Sequence, residues 1–293
     1  MYYPESALAN GAAIVAPRRI PVQLPVRRER TRGGNSVRCS ACVRRSTCMP
    51  SDLSPLDLAR VDSILSATRD VGRGEALFRA YGPFRSIYTV LIGSFKLVTP
   101  HGDGLEQVTG LKISGDVMGF DGLFGGSHVC NAVALEDSKV CVIPFASLQA
   151  MCSDVRPMQD HLYRMLGGEI QKRMRLGMLL GTQTAEQRLA TLLLSLSRRY
   201  KVRGYAEDEF PLRMTRDDIG SYLGMKLETV SRLFSRFRAL SLIESSRGKT
   251  IRILDFDGLA RILVIKDSPH SIVSESCDNS FLLWPESGSQ LAR

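Results

Sequence analysis

The middle of the chain alternates apolar and polar residues with the period of a β-strand. From about Val71 to Pro144, short alternating runs are separated by frequent glycines. The clearest runs lie at 87–92, 95–98 and 140–143. Turn residues at this spacing predict a small antiparallel barrel or roll. Immediately before it, Ser54 and Pro55 form the start signal of a short amphipathic helix, which we expect to pack on the roll.

The period changes after Pro157, where apolar residues recur at steps of three and four. These residues are Met158, Leu162, Met165, Leu166, Ile170, Met174 and Met178. The stripe predicts one face of a helix of about seven turns, which we assign to residues 154–183. A long helix between two domains is either a core helix or a dimer seam. The methionines, and the basic residues Lys172, Arg173 and Arg175 beside them, favour a dimer seam of modest stability, because a two-fold axis brings equal charges together.

Two short helices joined by a glycine turn are predicted in the segment 214–234. Thr215 is a helix cap, and Asp218 can return its carboxylate to the open backbone amides. Gly224 ends the first helix where left-handed backbone is needed, and the second helix begins near Leu227. The inward positions are Ile219 and Leu223 in the first helix, and Val230, Leu233 and Phe237 in the second. A hairpin with strands at 242–245 and 250–254 follows, so the pattern predicts a winged helix-turn-helix.

The outer face of the second helix carries side chains that suit the base edges of DNA. Arg232 can bind the O6 and N7 of guanine, Glu228 can accept from the N4 amine of cytosine, and Ser231 can approach a thymine methyl group. Residues expected at phosphates or the DNA backbone are Thr215, Lys226, Arg236, Arg238, Arg247 and Lys249. An ordinary solvated helix face is the alternative, but the glycine turn, the inward stripes and the hairpin favour DNA reading.

Composition and charge agree with a nucleic-acid partner. A chain of 293 residues with 44% hydrophobic residues is long enough for about two domains with real cores. The net charge of +9 favours a polyanionic partner, nucleic acid first and an anionic membrane surface second. No run of apolar residues approaches the length of a membrane span or of a signal peptide, so we expect a cytoplasmic location.

Three of the seven cysteines lie within ten residues, at Cys39, Cys42 and Cys48. In a reducing compartment, this crowding predicts a metal site, and neighbouring arginines are expected to lower the pKa of the thiols. A fourth ligand must come from elsewhere, and the candidates are Cys130 and Cys141. Structural zinc and an iron-sulfur cluster both accept this spacing.

Several motifs together resemble FNR-type regulators, the anaerobic branch of the cyclic AMP receptor protein (CRP) superfamily. The resemblance covers residues 39–262. It is carried by the cysteine loop followed by Pro50 and by the segments 115–121, 140–145, 185–190, 196–200 and 228–232. It implies a cyclic-nucleotide-binding-like jelly roll, a dimerisation helix and a C-terminal winged helix-turn-helix, an α+β fold.

The resemblance also implies a site and a signal. Cys39, Cys42, Cys48 and Cys141 would bind a [4Fe-4S] cluster, and Cys141 is selected because it lies just before the Ile-Pro-Phe, at 143–145, that accompanies the fourth ligand of the family. The protein would be an oxygen-responsive homodimer, mainly an activator, that contacts RNA polymerase. Glu228, Ser231 and Arg232 would read a site resembling TTGAT, four spacer bases, ATCAA. A regulator that uses structural zinc or no metal and responds to another signal is the alternative.

The sequence divides into five expected parts, and it argues against cyclic AMP binding and against an enzyme. The expected parts are a flexible basic arm (1–38), a cysteine loop and β-roll sensor domain (39–153), the dimerisation helix (154–183), the DNA-binding domain (184–266) and a disordered tail (267–293). Residues 119–130 lack the Arg-Ser pair that holds a cyclic phosphate, so cyclic AMP is not an expected ligand. Scattered histidines, no nucleotide-binding glycine loop and no paired carboxylates argue against an enzyme.

Overall fold

The computed structural model of the protein describes residues 38–42, 45–64, 67–246 and 250–263. Within these ranges it confirms the predicted α+β class, because an antiparallel roll is followed by a long helix and a winged helix-turn-helix. The predictions for the tail, for the arm apart from Arg38, and for phosphate contacts by Arg247 and Lys249 concern residues outside these ranges. No helix in the described ranges has both the length and the hydropathy that a membrane crossing requires.

The described elements follow one another in a simple order. The helices are α1 (Arg45–Cys48), α2 (Pro55–Ile64), α3 (Phe145–Asp154), α4 (Arg156–Thr182), α5 (Ala185–Val202), α6 (Arg216–Leu223), α7 (Leu227–Ala239) and α8 (Phe256–Leu263). The strands are β1 (Ala67–Val71), β2 (Ala76–Phe78), β3 (Ser86–Ile92), β4 (Ser94–Pro100), β5 (Glu106–Ile113), β6 (Val117–Met118), β7 (Asn131–Ala134), β8 (Ser138–Pro144), β9 (Glu209–Pro211), β10 (Ile243–Ser245) and β11 (Thr250–Ile253).

The roll consists of two four-stranded antiparallel sheets. One has the strand order β1-β8-β3-β6 and the other the order β2-β7-β4-β5. The core between them includes Val90, Phe95 and Val140. Because side chains alternate along a strand, Cys141 and Ile143 of β8 belong to a second core on the other face of the first sheet. Residues of α2, α3 and the first half of α4 complete that second core.

The short helix before the roll begins where the sequence predicts. The backbone N–H of Asp57 donates to Ser54 Oγ at 3.1 Å, and α2 starts at Pro55. Val61 of α2 is fully buried in the second core. The predicted packing of this helix on the roll is therefore confirmed.

Helix α4 divides the stripe that we assigned to a dimer seam. Met158 and Leu162 are buried in this second core, and Met165 and Leu166 pack against it. The prediction that the whole stripe forms a dimer seam is therefore wrong, because the protomer itself covers these four residues in this arrangement. The residues left exposed are Ile170, Met174 and Met178, at 61%, 67% and 57%.

The basic residues beside the stripe are engaged within the protomer. Lys172 Nζ donates to Glu169 Oε1 at 2.6 Å, and the Arg173 guanidinium donates to the carbonyl oxygen of Thr109 in the roll. Glu169 therefore pairs with the charge of Lys172, and the roll holds Arg173 in place.

The C-terminal helix pair has the predicted turn between its helices. Thr215 and Asp218 form a capping box at the start of α6, and Gly224 ends α6 in the left-handed region at φ +63°. The predicted inward residues Val230 and Phe237 of α7 are buried. Leu233 is only partly buried, and Phe234 takes the core position that we expected it to fill. The strands of the wing, β10 and β11, pair antiparallel and are joined by β9.

The glycine inside α6 allows the turn to close, and this predicts a loss of stability on substitution. A Cβ at Gly220 would lie 2.6 Å from the carbonyl oxygen of Met225. We expect Gly220→Ala to lower the free energy of unfolding by about 1–3 kcal/mol, because backbone must shift to relieve the contact. Urea unfolding followed by circular dichroism measures the loss.

The matched control is Gly102→Ala, because a Cβ there meets no atom within 4 Å. An unfolding free energy for Gly220→Ala equal to that of this control would contradict the close packing of the turn.

Candidate functional site

The cysteine loop folds back onto the first sheet of the roll. Cys39 starts a single 3-10 turn at Cys39–Ala41, and Cys48 ends α1. Cys141 lies on β8, paired with Thr68 of β1 on one side and Thr89 of β3 on the other. Cys39 and Cys141 are buried in the second core, and Cys48 packs against it.

Cys141 lies close enough to the three loop thiols for each of them to affect its pKa. Burial first, and then the nearby thiols of Cys39, Cys48 and Cys42, raise the pKa of Cys141 to about 12. Burial, Asp62 and Cys42 raise the pKa of Cys39 to about 11. The expectation that arginines lower these pKa values is therefore wrong for Cys39 and Cys141, because loss of hydration outweighs the basic residues of the loop. Both thiols are neutral near pH 7 without a bound metal.

The other candidate for the fourth ligand lies elsewhere. Cys130 is buried in the core between the two sheets, and its Sγ donates to Asp121 Oδ2 at 3.5 Å. Burial and Asp121 raise the pKa of Cys130 to about 12. The structure thus groups the loop cysteines with Cys141 and leaves Cys130 on the opposite face of the sheet.

Asp62 of α2 fastens the beginning of the cysteine loop. Its carboxylate accepts hydrogen bonds from the backbone N–H of Ser40 at 3.1 Å and from Ser40 Oγ at 2.5 Å. Burial works against the charge, but these bonds hold the pKa of Asp62 below its usual value. The loop therefore keeps its position through α2 as well as through its cysteines.

His161 connects the end of the same loop to α4. Burial and the nearby Arg164 lower the pKa of His161, while a hydrogen bond to the backbone of Cys48 works against this shift. Since Met158 and Leu162 flank this histidine in the second core, the loop contacts α4 through both polar and apolar groups.

The donor set of the cysteine site is made of thiols. Within the described ranges, no three or more His, Cys, Asp or Glu side chains are arranged to hold a metal ion. The four neighbouring thiols must therefore adjust their positions and lose their protons when a metal group binds.

The predicted base-reading residues lie together on the exposed face of α7. Glu228, Ser231 and Arg232 are all exposed, one turn or less apart. Lys226 is the N-cap residue and is also exposed. The buried opposite face of α7 fixes its direction, so this face is available to a groove of DNA.

Three of the residues expected at phosphates have partners within the protein, and one of them is Arg238, which donates to Ser235 Oγ at 3.1 Å. The side chain of Thr215 accepts from the backbone N–H of Asp218 at 3.0 Å, and Arg236 forms an ion pair with Glu186 at 3.3 Å. Arg216, which was not predicted, stacks its guanidinium over Phe234 at 3.2 Å from the ring centroid. Burial and Arg238 lower the pKa of Arg216 to about 10.

Sequence reasoning missed the residues that join distant parts of the chain. Arg188 donates to the carbonyl oxygens of Leu180, at 2.6 Å, and of Leu223, at 3.0 Å, and so connects the end of α4 to the turn after α6. Asp62 and His161 were missed for the same reason. A lone polar residue in a helix carries no local signal, and only the fold shows its partner.

Comparisons with known proteins place both halves of the chain. The Crp-like helix-turn-helix domain family matches residues 187–262, and the cyclic nucleotide-binding domain family matches residues 68–154. The chain is 37% identical to the fumarate and nitrate reduction regulatory protein of Escherichia coli K12, over 83% of this chain and 96% of that protein.

Two further proteins show the same similarity. The chain is 36% identical to the transcriptional regulatory protein btr of Bordetella pertussis, over 78% of this chain and 94% of that protein. The solved structure of FixK2 from Bradyrhizobium japonicum matches with a TM-score of 0.63 and 28% identity, over 69% of this chain and 98% of that one. The likeness covers the roll, the long helix and the DNA-binding domain together.

The raised pKa values predict slow alkylation of two thiols in the metal-free protein. At pH 8 we expect iodoacetamide to modify Cys39 and Cys141 at least about tenfold more slowly than the same thiols in urea, because the thiolate is the reactive form. Peptide mapping by mass spectrometry gives each rate. Equal rates in the folded and unfolded protein would contradict the burial of these thiols.

Proposed function

Because the chain belongs to the CRP/FNR family of DNA-binding transcription regulators, we propose that it responds to oxygen through a [4Fe-4S] cluster bound by Cys39, Cys42, Cys48 and Cys141. The meeting of these four thiols beside α4 is the observation that carries this proposal. The protein is a transcription regulator and not an enzyme. We place it in the cytoplasm, as a homodimer that mainly activates transcription by contacting RNA polymerase.

Four cysteine thiolates are suitable donors for a [4Fe-4S] cluster and for structural zinc. The resemblance to FNR-type regulators is what favours the cluster. When bound, the cluster supplies an oxygen-sensitive centre within the sensor domain.

The position of the cysteine site beside α4 provides a route by which a change at its ligands can alter the proposed dimer. Cys39 and Cys141 pack in the same core as Met158 and Leu162 of α4, and His161 bonds to the backbone of Cys48. A change at the ligands therefore changes the packing under the first half of α4. A difference of a few kcal/mol between two arrangements changes the active fraction by about a hundredfold.

The exposed second half of α4 supports a homodimer. Ile170, Met174 and Met178 are more than half exposed and recur at steps of four, which leaves an apolar stripe in water. A second copy of α4 would cover this stripe, and the two DNA-binding domains would then face two half-sites. We propose that Glu228, Ser231 and Arg232 read each half of a TTGAT-N4-ATCAA-like site.

The roll is proposed to act without a cyclic nucleotide. The family match at residues 68–154 gives the fold of the roll. The Arg-Ser pair that holds a cyclic phosphate is absent from residues 119–130, so we assign the signal to the cysteines instead.

The cysteine site predicts a metal content that depends on individual thiols. Protein purified without air should contain about four irons and four sulfides per chain and lose its visible absorption in air. Cys42→Ala and Cys141→Ala should each lose most of the iron, because a ligand is removed, while leaving the DNA-binding domain folded. Iron, sulfide and zinc assays with circular dichroism measure these effects.

Two buried cysteines serve as matched controls. Cys130→Ala and Cys152→Ala remove thiols of similar burial, and both variants should keep the iron of the parent protein. A colourless parent with about one zinc per chain would instead support structural zinc and remove oxygen as the signal.

The reading face of α7 predicts a specific loss of discrimination. Arg232→Ala should weaken binding to the proposed site by about 1–3 kcal/mol and relax the preference at one base pair of each half-site. Fluorescence anisotropy with single-base operator variants, at fixed salt, measures both effects.

Arg261→Ala is the control for lost charge, because Arg261 lies on α8 and pairs with Asp255 at 3.3 Å. If Arg232→Ala lowers the affinity equally for every operator variant, Arg232 contacts phosphate rather than a base.

A further inference from the structure

The turn after β5 holds the first helix of the DNA-binding domain through one buried carboxylate. Asp116 is only 4% exposed. Its Oδ1 accepts from Arg203 Nη2 at 2.7 Å, and its Oδ2 accepts from the Arg199 guanidinium and from the backbone N–H of Ile113. Arg199 lies on the last turns of α5 and Arg203 is its C-cap residue. Asp116 therefore binds the C-terminal end of this helix through both arginines.

A second polar contact holds the helix that precedes the reading helix. Lys96 Nζ on β4 donates to Asp218 Oδ1 at 2.5 Å, and the backbone N–H of Val108 on β5 donates to Ser221 Oγ at 2.8 Å. Asp218 and Ser221 both belong to α6, which packs directly against α7. The sheet of the roll thus contacts both α5 and α6.

The same strand is bonded to the long helix on which the dimer would form. Lys112 Nζ of β5 is buried and donates to Glu169 Oε2 of α4 at 2.7 Å and to the carbonyl oxygen of Val117 at 2.8 Å. Strand β5 and its turn therefore join α4 on one side and the DNA-binding helices on the other.

These contacts do more than hold two apolar surfaces together. Apolar residues of β5, among them Val108 and Leu111, share a core with helices of the DNA-binding domain. Such contacts resist separation but permit sliding, whereas buried ion pairs with hydrogen bonds tolerate few relative positions.

We propose that Asp116 and Lys96 are positioning residues for DNA recognition. By fixing α5 and α6 against β5, they set the angle of α7 to the two-fold axis, and so the spacing of half-sites that the dimer accepts. This inference rests on the proposed dimer and its two-fold site. It adds that spacing is specified by sensor-domain residues that do not touch DNA.

The test compares operators that differ only in spacing. Full-length protein purified without air is titrated with duplexes in which TTGAT and ATCAA are separated by two, four or six base pairs, and with a single half-site. The variants are Lys96→Met and Arg203→Met, alone and together. The matched controls are Lys139→Met on the roll and Arg261→Met on α8, since neither residue joins the domains. Iron content and dimer mass are measured for each protein.

The parent and the controls should prefer one spacing by about a hundredfold, within the usual range of coupling between sites. The double variant should bind that spacing about tenfold more weakly and prefer it by less than about tenfold, while half-site affinity, iron and dimer mass stay unchanged. Lys96→Met alone should show part of this effect, so the test does not depend on one variant folding.

Three outcomes would overturn the inference. A variant that keeps the full spacing preference shows that these contacts only add stability. An equal loss on the half-site shows that the reading helix itself is damaged. A parent without any spacing preference contradicts the proposed dimer on a two-fold site, and this result is visible before any variant is examined.

Discussion

The long helix α4 cannot bury both of its halves within one protomer, and the rest of the structure depends on this constraint. Its 27 residues span about 40 Å at the rise of an α-helix, which exceeds the part of the roll that covers it. The first half completes the core around Cys39 and Cys141, and the second half leaves Ile170 and Met174 in water. Because a continuous helix is stiff, the packing of one half constrains the surface that the other half presents.

Buried charges make the stability of the junction between the domains sensitive to the loss of any one ionic partner. Lys112 and Asp116 are about 5% exposed, and an unpaired buried ion costs several kcal/mol. Burial alone would raise the pKa of Asp116, but Arg199 and Arg203 hold it well below its usual range. Its contribution to stability is thus complete above the ordinary Asp range and is lost only as the pH falls towards its lowered pKa. Removal of one partner would therefore leave another charge buried and unpaired.

Local sequence signals predicted the helices and strands, whereas contacts between residues far apart in the sequence could not be predicted from them. Thr215 and Asp218 predict the start of a helix and Gly224 predicts its end a few residues later, so the helix-turn-helix could be located from the sequence. The register of α7 was less certain, because Leu233 and Phe234 are both apolar and only packing against α6 selects Phe234. The whole apolar stripe of α4 was assigned to a dimer seam. Its periodicity shows that these residues lie on one face of the helix, but it does not show which other part of the protein covers that face.

The cysteine loop could be predicted only in part from the sequence. Its spacing pointed to a metal, and the resemblance to a family selected Cys141, which the structure places beside the loop and away from Cys130. No pattern revealed that Asp62 or His161 would fasten the loop, because each is a single polar residue on a helix. The raised pKa values were missed as well, since burial is a property of the fold and not of the adjacent arginines.

Cys141 lies on a strand that is hydrogen-bonded on both sides, while its three companions lie in a short loop. A strand between two neighbours is anchored by the whole sheet, so Cys141 is held in place by more contacts than the loop cysteines. Under the function proposed above, loss of the cluster would leave this strand as a scaffold, and only the loop would have to move when the cluster is rebuilt. The same molecule could then pass through repeated cycles of aeration without unfolding its roll.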